Sequence, residues 1–243
     1  MKLNLLVIRL KKLAYILLNL NLLKTFLKFR VLATFQHSQV LKNKYRTIVD
    51  IGANRGQFSL AASQNPDALI YAFEPLSKPA EIFKKVFKNN NNVKFFNVAI
   101  GNTEKETSIN VSAKDDSSSL LEISQLQNEL FPGTFKDSVE EVFLAPLEKF
   151  INEDDLISPA LLKLDVQGYE LEALKGCQKL LKGFDHIYCE CSFISLYKGQ
   201  KLSSEIISFL NDHDFELAGF FNLKKTPDGD CIQADLLFAS RLK

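Results

Sequence analysis

The stretch Thr47 to Phe58, TIVDIGANRGQF, constrains this chain more than any other: an apolar, β-branched run passes into a turn spaced by glycines and then into helix-forming sequence. Strand, turn and helix in that order begin a parallel α/β sheet, whose ligands bind beyond the carboxyl ends of the strands. Gly52 and Gly56 let the backbone turn tightly and approach a ligand. The order Gly52-Ala53-Asn54-Arg55-Gly56 departs from the G-x-G-x-x-G dinucleotide fingerprint, having Asn at its middle position. Asp50 ends the strand and sets a carboxylate beside the turn. Such an anion repels a pyrophosphate but suits the ammonium and sulfonium of S-adenosylmethionine.

A second strand, ALIYAFEP from Ala68, ends in Glu74, 22 residues after Gly52. An acid about 20 positions on is where one carboxylate grips both hydroxyls of a ribose. That ribose is common to NAD and S-adenosylmethionine, so the turn, not Glu74, favours the methyl donor.

The alternation continues. Ser77 to Lys88 has the apolar spacing of an amphipathic helix, VKFFNVAI (Val93 to Ile100) reads as a third strand, and a short strand follows around Thr107 to Val111. Residues 112–138 are the least regular and suggest a lid or binding loop. A short strand near Val142 and a helix around Leu147 to Asn152 precede the fourth major strand in LLKLDVQGYE. There Asp165 ends the strand, Gly168 turns, and a helix is expected over Tyr169 to Leu181. A fifth strand, HIYCECSF, brings Glu190 to the same rim as Asp50, Glu74 and Asp165. After a helix over Leu202 to Asp212, FELAGFF and CIQADLLFA form a hairpin through Thr226-Pro227-Asp228-Gly229. Gln233 and Asp235 share one face at its ligand end.

Composition supports one α/β domain with an extension: 243 residues, 46% hydrophobic and 24% charged. The net charge of +1 conceals an asymmetry. Residues 1–46 hold ten Lys or Arg and no acid, leaving 20 basic against 29 acidic residues, net −9, in the remainder. Nucleic acid is therefore disfavoured as a partner, because the body repels phosphates. The arm's apolar run, Leu13 to Leu23, spans 11 residues where a bilayer needs about 20, and nothing in it resembles a signal peptide. Two readings stand side by side: a helical arm packed on the domain, or an interfacial helix in peripheral contact with an anionic membrane. Four cysteines without metal-ligand spacing read as reduced, packed thiols in a cytoplasmic protein, with Cys189 and Cys191 facing opposite to Glu190. His37 belongs to the arm, His186 to the far end of its strand and His213 to a helix end. No Ser-His-Asp arrangement or metal-binding histidine cluster is legible, which disfavours a hydrolase.

The blocks TIVDIGANRGQF, IYAFEP, DDSSSLLE, LLKLDVQGYELEALKG, ECSFISLYKGQ and CIQADLLF, in this order, resemble the FkbM family of S-adenosylmethionine-dependent methyltransferases. The resemblance runs from Thr47 to the C-terminus, so residues 1–46 are expected as an extension and 47–243 as the methyltransferase domain. It implies a Rossmann-like, mostly parallel seven-stranded sheet in the order 3-2-1-4-5-7-6, the last strand antiparallel. It also implies O-methylation of sugars or of hydroxyls in polyketides and other metabolites. By position in the motifs, Asp50, Gly52, Asn54 and Gly56 would line the methionine part, Glu74 the ribose and Ala99 the adenine, with Ala53, Phe58 and Pro75 completing the donor set. Family members often have Glu where this chain has Gln167, which weakens position 167 as a base.

Methyl transfer from a sulfonium needs alignment, exclusion of water and a base for the acceptor hydroxyl. Asp165 and Glu190 are the catalytic candidates, one as base and the other binding the acceptor. The same pair could instead hold a divalent cation such as magnesium, and no dedicated metal site is assigned. The bland alternatives are a helix cap for Asp165 and, for Glu190, an ion pair with Lys163 or Lys198. Ser119, Tyr197, Gln233 and Asp235 are expected to bind the acceptor, a bacterial surface glycan or a small metabolite. An NAD-dependent oxidoreductase and a non-catalytic cofactor-binding partner in glycan assembly are the rivals.

Overall fold

The computed structural model describes residues 19–243. Much of the apolar run Leu13 to Leu23 lies outside the described residues, and no described helix is long and apolar enough to cross a membrane. Along the chain come α1 (Leu20–Phe29), α2 (Ser38–Leu41), β1 (Thr47–Ile51), α3 (Gln57–Ala62), β2 (Leu69–Phe73), α4 (Ser77–Val86), β3 (Val93–Phe96), β4 (Ala99–Ile100) and β5 (Lys105–Ser112). They are followed by α5 (Gln125–Leu130), β6 (Lys136–Ala145), β7 (Ala160–Leu164), α6 (Glu170–Gly176), β8 (His186–Ser192), α7 (Ser203–Asn211), β9 (Phe215–Lys225) and β10 (Cys231–Ser240).

Seven strands form the main sheet in the order β3-β2-β1-β7-β8-β10-β9. Only β10 runs against the others, being antiparallel to both β8 and β9. This is the expected Rossmann-like order. The central strands TIVDI and ALLKL are buried along their whole length, because parallel strands are covered on both faces. On one face Val49, Ile51, Leu162, Leu164, Cys189 and Cys191 pack against α6 and α7 residues such as Leu174 and Ile206. On the other, Ile48, Leu161 and Tyr188 meet Phe58, Phe83 and the arm. The strand period of two produces both layers and sets Glu190 opposite its neighbouring cysteines.

The arm joins that second layer. Leu22, Val31, Ala33, Val40 and Tyr45 are buried with the sheet, and Thr34 N donates to Gln57 O at 3.1 Å. The boundary at residue 46 thus separates no second core.

Five segments differ from expectation. VKFFNVAI splits at Asn97, whose Nδ2 donates to the Glu74 and Pro75 carbonyls at 2.8 and 2.9 Å. Ala99 and Ile100 then leave the main sheet for a second one, ordered β4-β6-β5. The short strand near Val142 is the ten-residue β6, paired antiparallel with β5. Within 112–138 a 3-10 turn, Asp115–Ser117, precedes α5, which is capped by Ser124 Oγ accepting from Gln127 N at 3.2 Å. The helix expected over Leu147 to Asn152 is only a 3-10 turn, Leu147–Lys149, and that over Tyr169 to Leu181 tightens to 3-10 after Gly176.

Candidate functional site

The carboxyl ends of β1, β2, β7 and β8 and the β9 and β10 segments Asn222–Lys224 and Gln233–Asp235 open onto one cavity of about 770 Å3. Because β2 and β3 lie on one side of β1, and β8 and β10 on the other, its two halves differ in chemistry.

The β2 half has an apolar wall of Ile51, Phe73, Leu76, Val98, Ala99 and Ile100, with the Glu74 carboxylate at the end of β2 and Asp115 near enough to act on it. Glu74 Oε1 accepts from Leu76 N and Oε2 from Asn54 N, each at 2.9 Å. Burial outweighs both bonds and pushes its pKa up to about 7. Asn54 holds a left-handed φ of +48°, which an Asn tolerates better than most residues, and this aims its N–H at Glu74. Ala53, Phe58 and Pro75 line the same cavity.

The β8 half is polar. Gln167 Nε2 donates to Asp165 Oδ1 at 2.7 Å and to Glu190 Oε2 at 2.9 Å, while its Oε1 accepts from Tyr197 Oη at 2.8 Å. Gln233 Nε2 donates a short bond to Glu190 Oε1. Burial and the nearby Asp165 raise the Glu190 pKa to about 8, against the pull of Lys224, whose Nζ is 3.5 Å away. Gln233 and Asp235 also line this half, as the hairpin topology implied.

Several expected residues are placed differently. Asp50 does not line the cavity: it is fully buried, with Oδ1 3.0 Å from Lys163 Nζ and Oδ2 accepting from Ser59 Oγ at 2.6 Å. Its negative charge is met from within the protein. Burial opposes charge on Lys163, but Asp50 and Asp165 outweigh it and raise the lysine's pKa. Gly56 lies beneath the turn, where a Cβ would be 2.6 Å from Phe87. Ser119 is buried against Asn110, and Tyr197 is buried behind Gln167, so neither lines the cavity. The ion partner of Glu190 is Lys224, since Lys163 pairs with Asp50 and Lys198 with Glu122. Nor does Asp165 cap α6. The N-cap position is Tyr169, which makes no side-chain cap bond, and Glu170 Oε1 instead holds the preceding turn, accepting from Val166 N at 3.2 Å and Gly168 N at 3.0 Å.

Sequence reasoning missed two contributors. Gln167 was discounted as a base, yet as an amide it joins the two acids, a role its place between Asp165 and Gly168 could have suggested. His37 lines the cavity from the arm, outside any motif, and no local signal marks it. Among the described residues no three His, Cys, Asp or Glu side chains are grouped to hold a metal ion.

The Methyltransferase FkbM domain model matches residues 50–217. The chain belongs to the FkbM family of S-adenosylmethionine-dependent methyltransferases. This FkbM methyltransferase is 28% identical over 181 residues to the 2-O-methyltransferase NoeI of Sinorhizobium fredii, covering 72% of this chain and 74% of that one. Among solved structures it is similar to a Streptococcus pneumoniae protein in complex with S-adenosyl-L-methionine, with a TM-score of 0.50 and 10% identity over 86% of this chain and 73% of that one. Another is the Precorrin-6y C5,15-methyltransferase of Geobacter metallireducens, with a TM-score of 0.47 and 14% identity over 87% and 94% of the two chains.

Proposed function

We propose that this FkbM methyltransferase transfers a methyl group from S-adenosylmethionine to a hydroxyl of a sugar-containing acceptor. The observation that carries the reading is the pairing, within one cavity, of an apolar half holding Glu74 with a half built of carboxylates and side-chain amides. The first suits a nucleoside, with Glu74 at its ribose and Ala99 at its base. Asp165, Gln167, Glu190 and Gln233 supply the donors and acceptors that neighbouring sugar hydroxyls require. Bound in the apolar half, S-adenosylmethionine supplies an electrophilic methyl carbon. The protein's share is to orient the acceptor, exclude water and remove a proton. The likeness to a 2-O-methyltransferase supports oxygen as the acceptor atom.

Calorimetric titration of the full chain with S-adenosylmethionine, and separately NADH, tests the donor. Binding of S-adenosylmethionine alone, weakened at least roughly tenfold by Glu74→Ala, is expected. Binding of neither would remove the enzymatic reading. Turnover of methyl glycosides then separates an O-methyltransferase of sugars from an enzyme of other metabolites and from a non-catalytic binding partner.

A further inference from the structure

Residues 32–37 lie outside the matched span 50–217, yet they wall the cavity and carry an imidazole into it. Val31 and Ala33 anchor this strap in the core, and His37 follows at the start of α2. Its ring stands edge-on to Phe58 on the donor side, centroids 5.5 Å apart, and to Tyr188 at 5.4 Å. Nδ1 is 2.8 Å from Tyr188 Oη and 3.5 Å from Asp235 Oδ2.

The protons of this cluster follow by elimination. Tyr188 has one hydroxyl hydrogen and donates it to Asp235 Oδ2 at 2.9 Å, where Asn222 Nδ2 also donates at 2.6 Å. Toward His37 the tyrosine oxygen is then an acceptor, which favours the ring hydrogen on Nδ1; Asn222 Nδ2, the other donor nearby, is farther off, at 3.3 Å from Tyr188 Oη and 3.5 Å from Nδ1. Nε2 keeps its lone pair, and no described group hydrogen-bonds to it. Burial lowers the pKa of the ring and keeps it neutral, with Lys163 acting in the same direction and Asp235, Asp165 and Asp50 opposing.

We propose that His37 Nε2 is the general base of methyl transfer, a catalytic residue whose tautomer Tyr188 and Asp235 fix as positioning residues. The proposal rests on the O-methylation reading. The acceptor oxygen forms its bond to the methyl carbon as its proton passes to Nε2. The C–S bond breaks with its electron pair going to sulfur, leaving a methyl ether and S-adenosylhomocysteine. Asp235 stabilises the imidazolium, which returns its proton to water. Asp165 and Glu190, already bridged by amide hydrogens, hold the acceptor.

Two measurements test it on the full chain. Nitrogen NMR of histidine-labelled protein, with no acceptor present, should show His37 as the Nδ1–H tautomer, and Tyr188→Phe should mix the tautomers. Turnover of methyl glycosides of hexoses and deoxyhexoses, followed from about pH 5.5 to about pH 9, supplies the second. His37→Gln should bind S-adenosylmethionine within about threefold of wild type, lose roughly 100-fold in kcat and lose the acid limb of the profile, with added imidazole restoring part of the rate. An Nε2–H tautomer, or a His37→Gln variant that keeps both kcat and the acid limb, overturns the assignment. An acid limb that survives in His37→Gln and vanishes in Asp165→Asn gives the role to Asp165. If wild-type protein methylates none of the glycosides, the sugar reading fails, and the tautomer still decides for or against the His37 arrangement.

Discussion

Asp165 and Glu190 are joined through a single amide nitrogen, Gln167 Nε2, at 2.7 Å from one carboxylate and 2.9 Å from the other. An amide can bridge two acids because it brings two hydrogens and no charge. Replacing it by Glu puts three acids together, and the two bonds re-form only where protons are held among them. Gln167→Glu should therefore keep activity near pH 6 and lose roughly tenfold by about pH 8, while affinity for S-adenosylmethionine stays within about threefold. A pH profile matching wild type would show that the bridge does not govern turnover.

Gly52 couples the two halves of the cavity. Its φ of +76° is left-handed, and a Cβ there would lie 1.9 Å from the Asp165 carbonyl oxygen, a backbone atom that cannot swing aside. Gly52→Ala should cost about 2–4 kcal/mol in denaturant unfolding and weaken methyl transfer together with stability. A loss below about 1 kcal/mol would mean that β1 and β7 separate easily at this end.

Arg55, in the glycine turn, forms a two-nitrogen ion pair with Asp115 in the loop after β5: Nε lies 3.1 Å from Oδ2 and Nη2 makes a short contact. The pair ties that loop to the donor turn. Being partly solvated, it should be worth about 1 kcal/mol, so Arg55→Ala should weaken S-adenosylmethionine binding about fivefold and speed proteolysis between residues 113 and 135. Unchanged calorimetric affinity and cleavage rate would count against the tie.

Glu170 is buried, and its pKa is pushed up to about 7 by that burial, against the N–H bonds it accepts. The folded state thus holds this proton more tightly than the unfolded chain. Its contribution to stability is full below the ordinary carboxyl pKa and is lost as pH rises through about 7. The loss is on the order of 3 kcal/mol. Glu170→Gln keeps an oxygen for the Val166 and Gly168 N–H groups and cannot ionise. Its melting temperature relative to wild type should therefore climb between about pH 5 and about pH 8. A constant difference across that range would contradict the assigned shift.

The parts legible in the sequence are those fixed by local rules. Alternation and turn chemistry placed β1, β2, β7, β8 and the final hairpin, and so put Glu74, Asp165, Glu190, Gln233 and Asp235 at one rim. Residues 112–138 and the split at Asn97 were not legible, because side-chain hydrogen bonds and a second sheet decide them. The sequence by itself determined the order of strands and turns, since a strand's period and a glycine's freedom act within a few residues. Only the tertiary structure decided that Asp50 serves the interior, because the β1-β7 register sets Lys163 beside it. Tertiary structure also brought His37 to Tyr188 and Asp235, through burial of Val31 and Ala33 far along the chain from either partner. Register and packing are sums over distant contacts, and no local pattern encodes them.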